Sequence, residues 1–104
     1  MGKNRVIKIL GNVIGNIVVH KILVKHTNKP ESVNHLESEV EAYRDNALEI
    51  VNKFNWNEKD KKEIKLETLK KFKKDIKKYY NDVKFSMDDA ERLIEETLME
   101  IIGE

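Results

Sequence analysis

A chain of 104 residues with a net charge of +1, 38% charged residues and 7% aromatic residues has the size of one small domain, residues 1–104. It has no cysteine, so disulfide bonds and thiolate metal sites are excluded, and we expect a reducing, cytoplasmic setting. One proline and four glycines are too few for the many turns of a β-sandwich or barrel, whereas the abundance of Lys, Glu, Leu and Ile favours an all-α fold.

The first predicted helix covers residues 4–26. Apolar doublets recur every three to five positions from Val6 to Leu23, which is near the helical period and unlike the alternation of a half-buried strand. A β-hairpin turning at Gly11 is the alternative, because β-branched residues favour strands, but a second Gly-Asn pair four residues later disturbs its register. The segment has no signal-peptide cleavage pattern, and its Lys, Asn and His residues interrupt it too often for a membrane-spanning helix.

The second and third predicted helices cover residues 30–55 and 58–82. In the second, apolar residues step by three and four positions from Val33 to Phe54. In the third, the apolar stripe runs from Leu69 to Val83. Ile64 and Leu66 fit it less well, which leaves open whether the helix is continuous or has a bend or a break near Leu66. Trp56, in the joint between the two helices, either closes one end of the core or contacts a partner.

The fourth predicted helix covers residues 86–102, with a capping box of Ser86 and Asp89 at its start and Gly103 after its end. The joints between the four helices are short, and short connections make successive helices antiparallel neighbours. The sequence therefore predicts an antiparallel four-helix bundle with up-down-up-down topology.

The sign of the net charge alternates along the chain. Residues 1–30 carry six basic groups and no acid, and residues 58–84 carry eleven lysines and six acids, whereas residues 31–49 and 85–104 are acidic. In a square bundle this alternation joins opposite signs at every neighbouring pair and leaves like signs only across the diagonal. Because surface ion pairs contribute only about 0.2–1 kcal/mol each, we expect the alternation to select the arrangement of helices rather than to stabilise it.

Two glycines in the first predicted helix need an explanation, because glycine inside a helix costs about 1 kcal/mol relative to alanine. Together with polar residues at every fourth position they form one stripe, which comprises Lys8, Gly11, Asn12, Gly15, Asn16 and His20. Small residues four positions apart let another helix approach closely. We expect that helix to belong to a second copy in a homodimer, or to a helical protein partner; a helix crossing inside one monomer is the alternative.

The stretch KKFKKDIKKYY, residues 70–80, suggests a different function. Its lysines could follow the phosphates of a nucleic acid while its aromatic residues stack on bases; the candidate residues are Lys70, Lys71, Lys73, Lys74, Lys77 and Lys78. The alternative is a solvated helix face whose aromatic residues belong to the core. Scarce arginine, a net charge near zero and acidic helices predicted on both sides favour the solvated face.

No residue pattern in the sequence points to catalysis. The three histidines lack the spacing of a zinc site, and the acids Asp88, Glu91 and Glu95 lie opposite the apolar face of their helix. A nucleophile–base pair and a glycine-rich phosphate loop are also missing. We therefore expect no enzyme activity, no cofactor, no metal site and no small-molecule substrate.

Together these patterns predict a small non-enzymatic interaction or structural protein that self-associates through its first helix. Nucleic-acid binding through the lysine-rich face of the third helix is the alternative function. Reversible attachment of the first helix to an anionic membrane is a third class, which ranks below both.

Overall fold

The computed structural model describes residues 2–26, 33–79 and 85–103, and the structural statements that follow concern this part of the chain. Here the chain forms four helices and no strand: α1 Lys3–His26, α2 Val33–Val51, α3 Glu58–Tyr79 and α4 Met87–Ile102. The all-α class with four helices is confirmed, and the hairpin alternative for the first segment is wrong. Of the predicted helix ends, residues 30–32 and 80–82 lie outside the described residues.

The central helix of the fold is α1. Eleven of its residues are buried, and Leu10, Ile14 and Ile17 are completely inaccessible to solvent. It packs extensively against α3 and α2 and less against α4, whereas α2 and α3 hardly touch each other and α4 makes only sparse contacts with both. A helix covered by three neighbours needs apolar residues around most of its circumference, which explains why its apolar residues come as doublets rather than as one narrow stripe.

Length and composition alone would allow α1 to cross a membrane, and 56% of its most apolar stretch is buried against the rest of the protein. The core helix of a globular protein meets the same criterion, because burial in protein and burial in lipid select similar side chains. By length and hydropathy the segment does meet the criterion for a membrane-spanning helix, so the expectation that its polar residues are too frequent for that criterion is wrong. Attachment of α1 to a membrane surface stays a prediction.

α2 ends at Val51, four residues before its predicted end at residue 55. The indole of Trp56 explains where the helix stops, since its Nε1–H donates a hydrogen bond of 3.0 Å to the Val51 carbonyl oxygen at the helix end. The half-buried ring also packs on Phe54, with ring centroids 5.6 Å apart, and lies 5.4 Å from the ammonium of Lys3. Trp56 thus packs against the hydrophobic core, in keeping with the first of its two predicted roles.

Local side-chain hydrogen bonds define the ends of the last two helices. Asn57 and Asp60 cap α3 reciprocally: the Asn57 side chain accepts from the Asp60 N–H at 2.8 Å, and the Asp60 carboxylate accepts from the Asn57 N–H at 3.2 Å. At α4, the predicted cap is confirmed, because the Ser86 hydroxyl accepts from the Asp89 N–H at 3.1 Å. Gly103 ends α4 with φ +80°, as predicted.

α3 is one continuous helix through Leu66, so there is no break at this position. Leu66 fits the apolar stripe poorly because it faces solvent, with 58% of its surface exposed. The stripe continues through the fully buried Ile64 and Thr68 instead. Thr68 tolerates burial because its hydroxyl donates a hydrogen bond of 2.8 Å to the Ile64 carbonyl oxygen.

The two basic helices, α1 and α3, lie side by side, so the expectation that like-charged helices meet only across a diagonal is wrong. The reason is that net charge averages over all faces of a helix. The side of α3 that meets α1 carries acids: Asp60 pairs with Lys3 of α1 at 2.6 Å, and Glu67 packs against Gly11. The lysines of α3 mostly lie on its other sides, where water solvates them.

Candidate binding surfaces

Gly11 and Gly15 mark the place where α3 crosses α1. A Cβ atom added to Gly11 would collide with Cβ of Glu67 and lie 3.2 Å from the backbone nitrogen of Thr68. A Cβ atom on Gly15 would lie 2.7 Å from Cβ of Lys71 and 3.3 Å from the Thr68 carbonyl oxygen. Distances below 3.0 Å between such atoms require a shift, so the missing side chains are what allows the two helices to pack this closely.

The close crossing of α1 and α3 explains why glycines stand at positions 11 and 15. Both glycines are buried against α3 of the same chain, as the intramolecular alternative expects, so α3 fills the notch that they form. The predicted stripe is divided among three environments: the glycines face α3, His20 faces α2, and Lys8 and Asn12 remain exposed. Self-association stays a prediction, with Lys8 and Asn12 as the exposed part of the proposed surface.

His20 contributes polar contacts where α1 meets α2. Its Nδ1 lies 2.7 Å from the Asn16 carbonyl oxygen, and its Nε2 lies 2.5 Å from one carboxylate oxygen of Glu39. The other oxygen of Glu39 is 2.7 Å from Nε2 of His35. Both ring nitrogens of His20 are thus engaged, one within α1 and one across to α2. The ring edge also packs on Tyr43, with centroids 5.4 Å apart.

The His20–Glu39–His35 cluster was not apparent from the sequence, since it joins two helices and only its second half has a helical spacing. Within the described residues, no group of three or more His, Cys, Asp or Glu side chains is arranged to hold a metal ion. Through the contact of His20 with Glu39, the cluster joins α1 to α2.

The lysines predicted to contact nucleic acid divide between two sides of α3. Lys71 lies against Gly15 and pairs with Asp75 at 3.1 Å, so it belongs to the helix crossing rather than to a binding surface. The remaining five are exposed: Lys70, Lys73, Lys74, Lys77 and Lys78. Lys70 lies 3.6 Å from Glu67, whereas Lys73, Lys74 and Lys77 have no ion pair with the part of the chain described here.

Phe72 does not belong to this exposed row. Its side chain is 1% exposed and meets Phe85 edge to face, with ring centroids 5.7 Å apart. Phe72 is therefore a core residue, as the solvated-face interpretation predicts, and cannot stack on a base. The other predicted stacking residues are Tyr79 and Tyr80. Tyr80 and the side chain of Tyr79 lie outside the part of the chain that the structure describes.

One exposed cation of α1, Lys8, lies next to the lysine row. Lys8 and Lys70 of α3 line the same cavity of about 310 Å³, together with the exposed Leu66 and the acids Glu63 and Glu67. We call Lys8, Lys70, Lys73, Lys74 and Lys77 the basic face. It exists because the glycine crossing brings the two basic helices together, which places no acidic helix between them.

Lys3 links the beginnings of α1 and α3. Its ammonium lies 2.6 Å from the Asp60 carboxylate and donates a second hydrogen bond of 2.6 Å to the Asn55 carbonyl oxygen. The hydrogen bond from Lys3 holds the pKa of Asp60 below its ordinary value of 3.8; the Asn57 N–H acts in the same direction and desolvation opposes them.

We expect Asp60→Asn to lower the free energy of unfolding at neutral pH and to have little effect in acid. Asparagine keeps an oxygen that accepts from Asn57 but loses the charge that pairs with Lys3. Because the folded-state pKa of Asp60 is lowered, the ion pair stabilises the protein above about pH 4 and its contribution disappears as the pH falls through the folded-state value.

Urea unfolding of the parent and Asp60→Asn at a series of pH values between neutral and strongly acidic measures this difference. Asp45→Asn, at an exposed position in the middle of α2, is the control and should change little at any pH. A difference between parent and Asp60→Asn that is the same at every pH would contradict the ion-pair explanation.

Comparison of the chain with models of known protein families found no match. Comparisons with curated proteins and with solved structures likewise found no significant match.

Proposed function

We propose that this chain is a non-enzymatic, cytoplasmic interaction protein built as an up-down-up-down bundle of four antiparallel helices. Two contacts support the topology. The Lys3–Asp60 pair joins the beginnings of α1 and α3, as expected for helices that point the same way. Phe72, in the second half of α3, packs on Phe85, which precedes α4, as expected where two antiparallel helices are joined.

We further propose that the basic face binds nucleic acid. The observation that carries this proposal is the pairing pattern: acids of α3 face α1, while Lys73, Lys74 and Lys77 are exposed without ion pairs among the described residues. Unpaired cations in a row release counterions from a polyanion when they bind its phosphates. The sequence argument against this function assumed an acidic helix on each side of α3, but α3 has the basic α1 on one side.

The chemistry of the face points to phosphate contacts rather than to base recognition. Lysine is a point charge and lacks the planar, two-pronged donor geometry with which arginine recognises guanine. Arginine is absent from α3, and Phe72 is buried. We therefore expect binding that depends on salt and not on the base sequence.

Fluorescence anisotropy with labelled duplexes of two unrelated sequences tests this function. We expect both duplexes to bind equally, and binding to weaken steeply with salt. The triple variant Lys73→Glu, Lys74→Glu, Lys77→Glu should weaken binding about tenfold or more, because three attractive contacts become repulsive.

A second triple variant, Lys53→Glu, Lys59→Glu, Lys62→Glu, changes the net charge by the same amount at exposed positions outside the basic face. Equal loss of binding in the two variants would mean that overall charge, and not the basic face, attracts the nucleic acid. No binding by the parent at low salt would refute the proposed function.

A further inference from the structure

A groove separates α2 and α4 beside the last turns of α1. Its volume is about 670 Å³, within the usual range of binding sites. Val24, Val40 and Leu93 are the apolar residues of its lining, and three carboxylates add to it: Glu37, Glu41 and Glu96. We call this cavity the acidic groove.

The groove lies between the two helices that carry the negative charge. α2 contains five acids and one arginine, and α4 contains six acids and one arginine. The two helices make only sparse contacts, and Arg44 links them by pairing with Glu100 of α4 at 2.9 Å and with Glu41 of its own helix at 3.2 Å. Like charges on both walls disfavour closer approach, and Val24 and Leu93 stay partly exposed.

The two lysines in the lining each lie close to an acid of α4 that is outside the lining. Lys21 donates to the Thr97 hydroxyl and to Glu100, both at 3.0 Å. Lys25 lies 3.7 Å from Asp89. Glu37 and Glu96, by contrast, are exposed and have no ion pair with the described residues, so their charges are available to a ligand.

We propose that the acidic groove binds a cationic amphipathic helix of another protein. Its apolar residues would cover the partly exposed Val24 and Leu93, and its lysines or arginines would pair with Glu37 and Glu96. The lining on α2 runs from Asn34 to Glu41, about 10 Å or two helical turns, which matches anchor residues at positions i, i+3 or i+4 and i+7.

Charge complementarity decides between this occupant and the other helical candidates. An anionic helix would meet unpaired carboxylates on both walls, and an uncharged apolar helix would desolvate those carboxylates without pairing them. The proposal does not depend on nucleic-acid binding, because it uses helices α2 and α4 rather than the basic face.

Anisotropy with the full chain and a fluorescent amphipathic peptide of leucine and lysine tests the proposal. We expect this peptide to bind, and a counterpart with glutamate in place of every lysine not to bind. The double variant Glu37→Gln, Glu96→Gln should weaken binding about fivefold or more, since both charged contacts are lost. Ser38→Trp, which fills the groove from α2, should weaken it about tenfold or more if its helix content and melting temperature equal those of the parent.

The matched control is Asp45→Asn with Glu91→Gln, which removes one charge from each of the same two helices at exposed positions outside the groove. Its affinity should remain within about twofold of the parent, because distant charges are screened by salt. Equal loss in both double variants, full binding by a folded Ser38→Trp variant, or equal binding of the glutamate peptide would each overturn the proposal.

Discussion

We expect Gly11→Ala to lower the free energy of unfolding by about 1–3 kcal/mol, although alanine is the better helix former. At an ordinary helix position this change stabilises by up to about 1 kcal/mol. Here the new methyl group would collide with Cβ of Glu67 and press on the backbone of Thr68, neither of which can move without displacing α3. A loss of stability in Gly11→Ala, rather than a gain, would therefore indicate that α1 and α3 cross closely at this glycine.

The size of the loss should depend on what the added atoms meet. Gly15→Ala should cost less than Gly11→Ala, because its added Cβ approaches the nearest side chain, that of Lys71, less closely, and one rather than two of its three nearest atoms belongs to the backbone. Gly2→Ala is the matched control, since no atom lies within 4 Å of the added Cβ, and it should be nearly neutral. Urea or thermal unfolding gives all three values. A stabilising Gly11→Ala would contradict the close crossing.

The mass of the parent in solution tests self-association separately. Because α3 fills the notch, we expect Gly15→Leu to reduce stability without acting through a subunit interface at the glycines. Analytical ultracentrifugation of the parent gives its oligomeric state. A monomeric parent would end the homodimer prediction, and a dimer that Gly15→Ala dissociates without loss of stability would contradict the intramolecular explanation.

We expect Phe72→Ala to lower the free energy of unfolding by about 3–5 kcal/mol, as large-to-small changes of buried aromatic residues do. The change leaves a cavity in the core and removes the edge-to-face contact with Phe85, which links α3 to the segment before α4. For a domain of this length such a loss is a large fraction of the total stability.

Leu66→Ala is the matched control on the same helix. Leu66 is exposed, so its truncation should change the free energy of unfolding by less than about 0.5 kcal/mol. Chemical denaturation of the parent and both variants gives the comparison. If Phe72→Ala were as mild as Leu66→Ala, Phe72 would not be a core residue and a role in base stacking would have to be considered again.

Local patterns in the sequence predicted the elements of this fold. Helix ends that depend on neighbouring residues were correct, as at Ser86 and Gly103, because a cap is formed within one turn of chain. The end of α2 was placed too late, since the indole of Trp56 folds back on the Val51 carbonyl and competes with helix continuation. The periodic spacing of apolar residues continues through Phe54, but this spacing gives no information about the hydrogen bond from Trp56.

Which helices are neighbours in space, and where the candidate binding surfaces lie, could be learned only from the structure. Net charge per segment predicted neighbours of opposite sign, but Asp60 and Glu67 show that a basic helix can present acids to its neighbour. The spacing of Gly11 and Gly15 predicted a close contact with another helix, but it could not predict that this helix is α3. The acidic groove depends on the sparse packing of α2 against α4, for which no local pattern exists.

The central position of α1 has a consequence for biosynthesis. Its partners follow it in the chain, and its contacts reach far: Lys21 bonds to Thr97, 76 positions later. At about 5–20 residues per second, α1 leaves the ribosome several seconds before α3 and α4 are complete. During that interval its valine and isoleucine side chains have no cover from their own protein, which makes the nascent α1 the expected site of chaperone capture or aggregation.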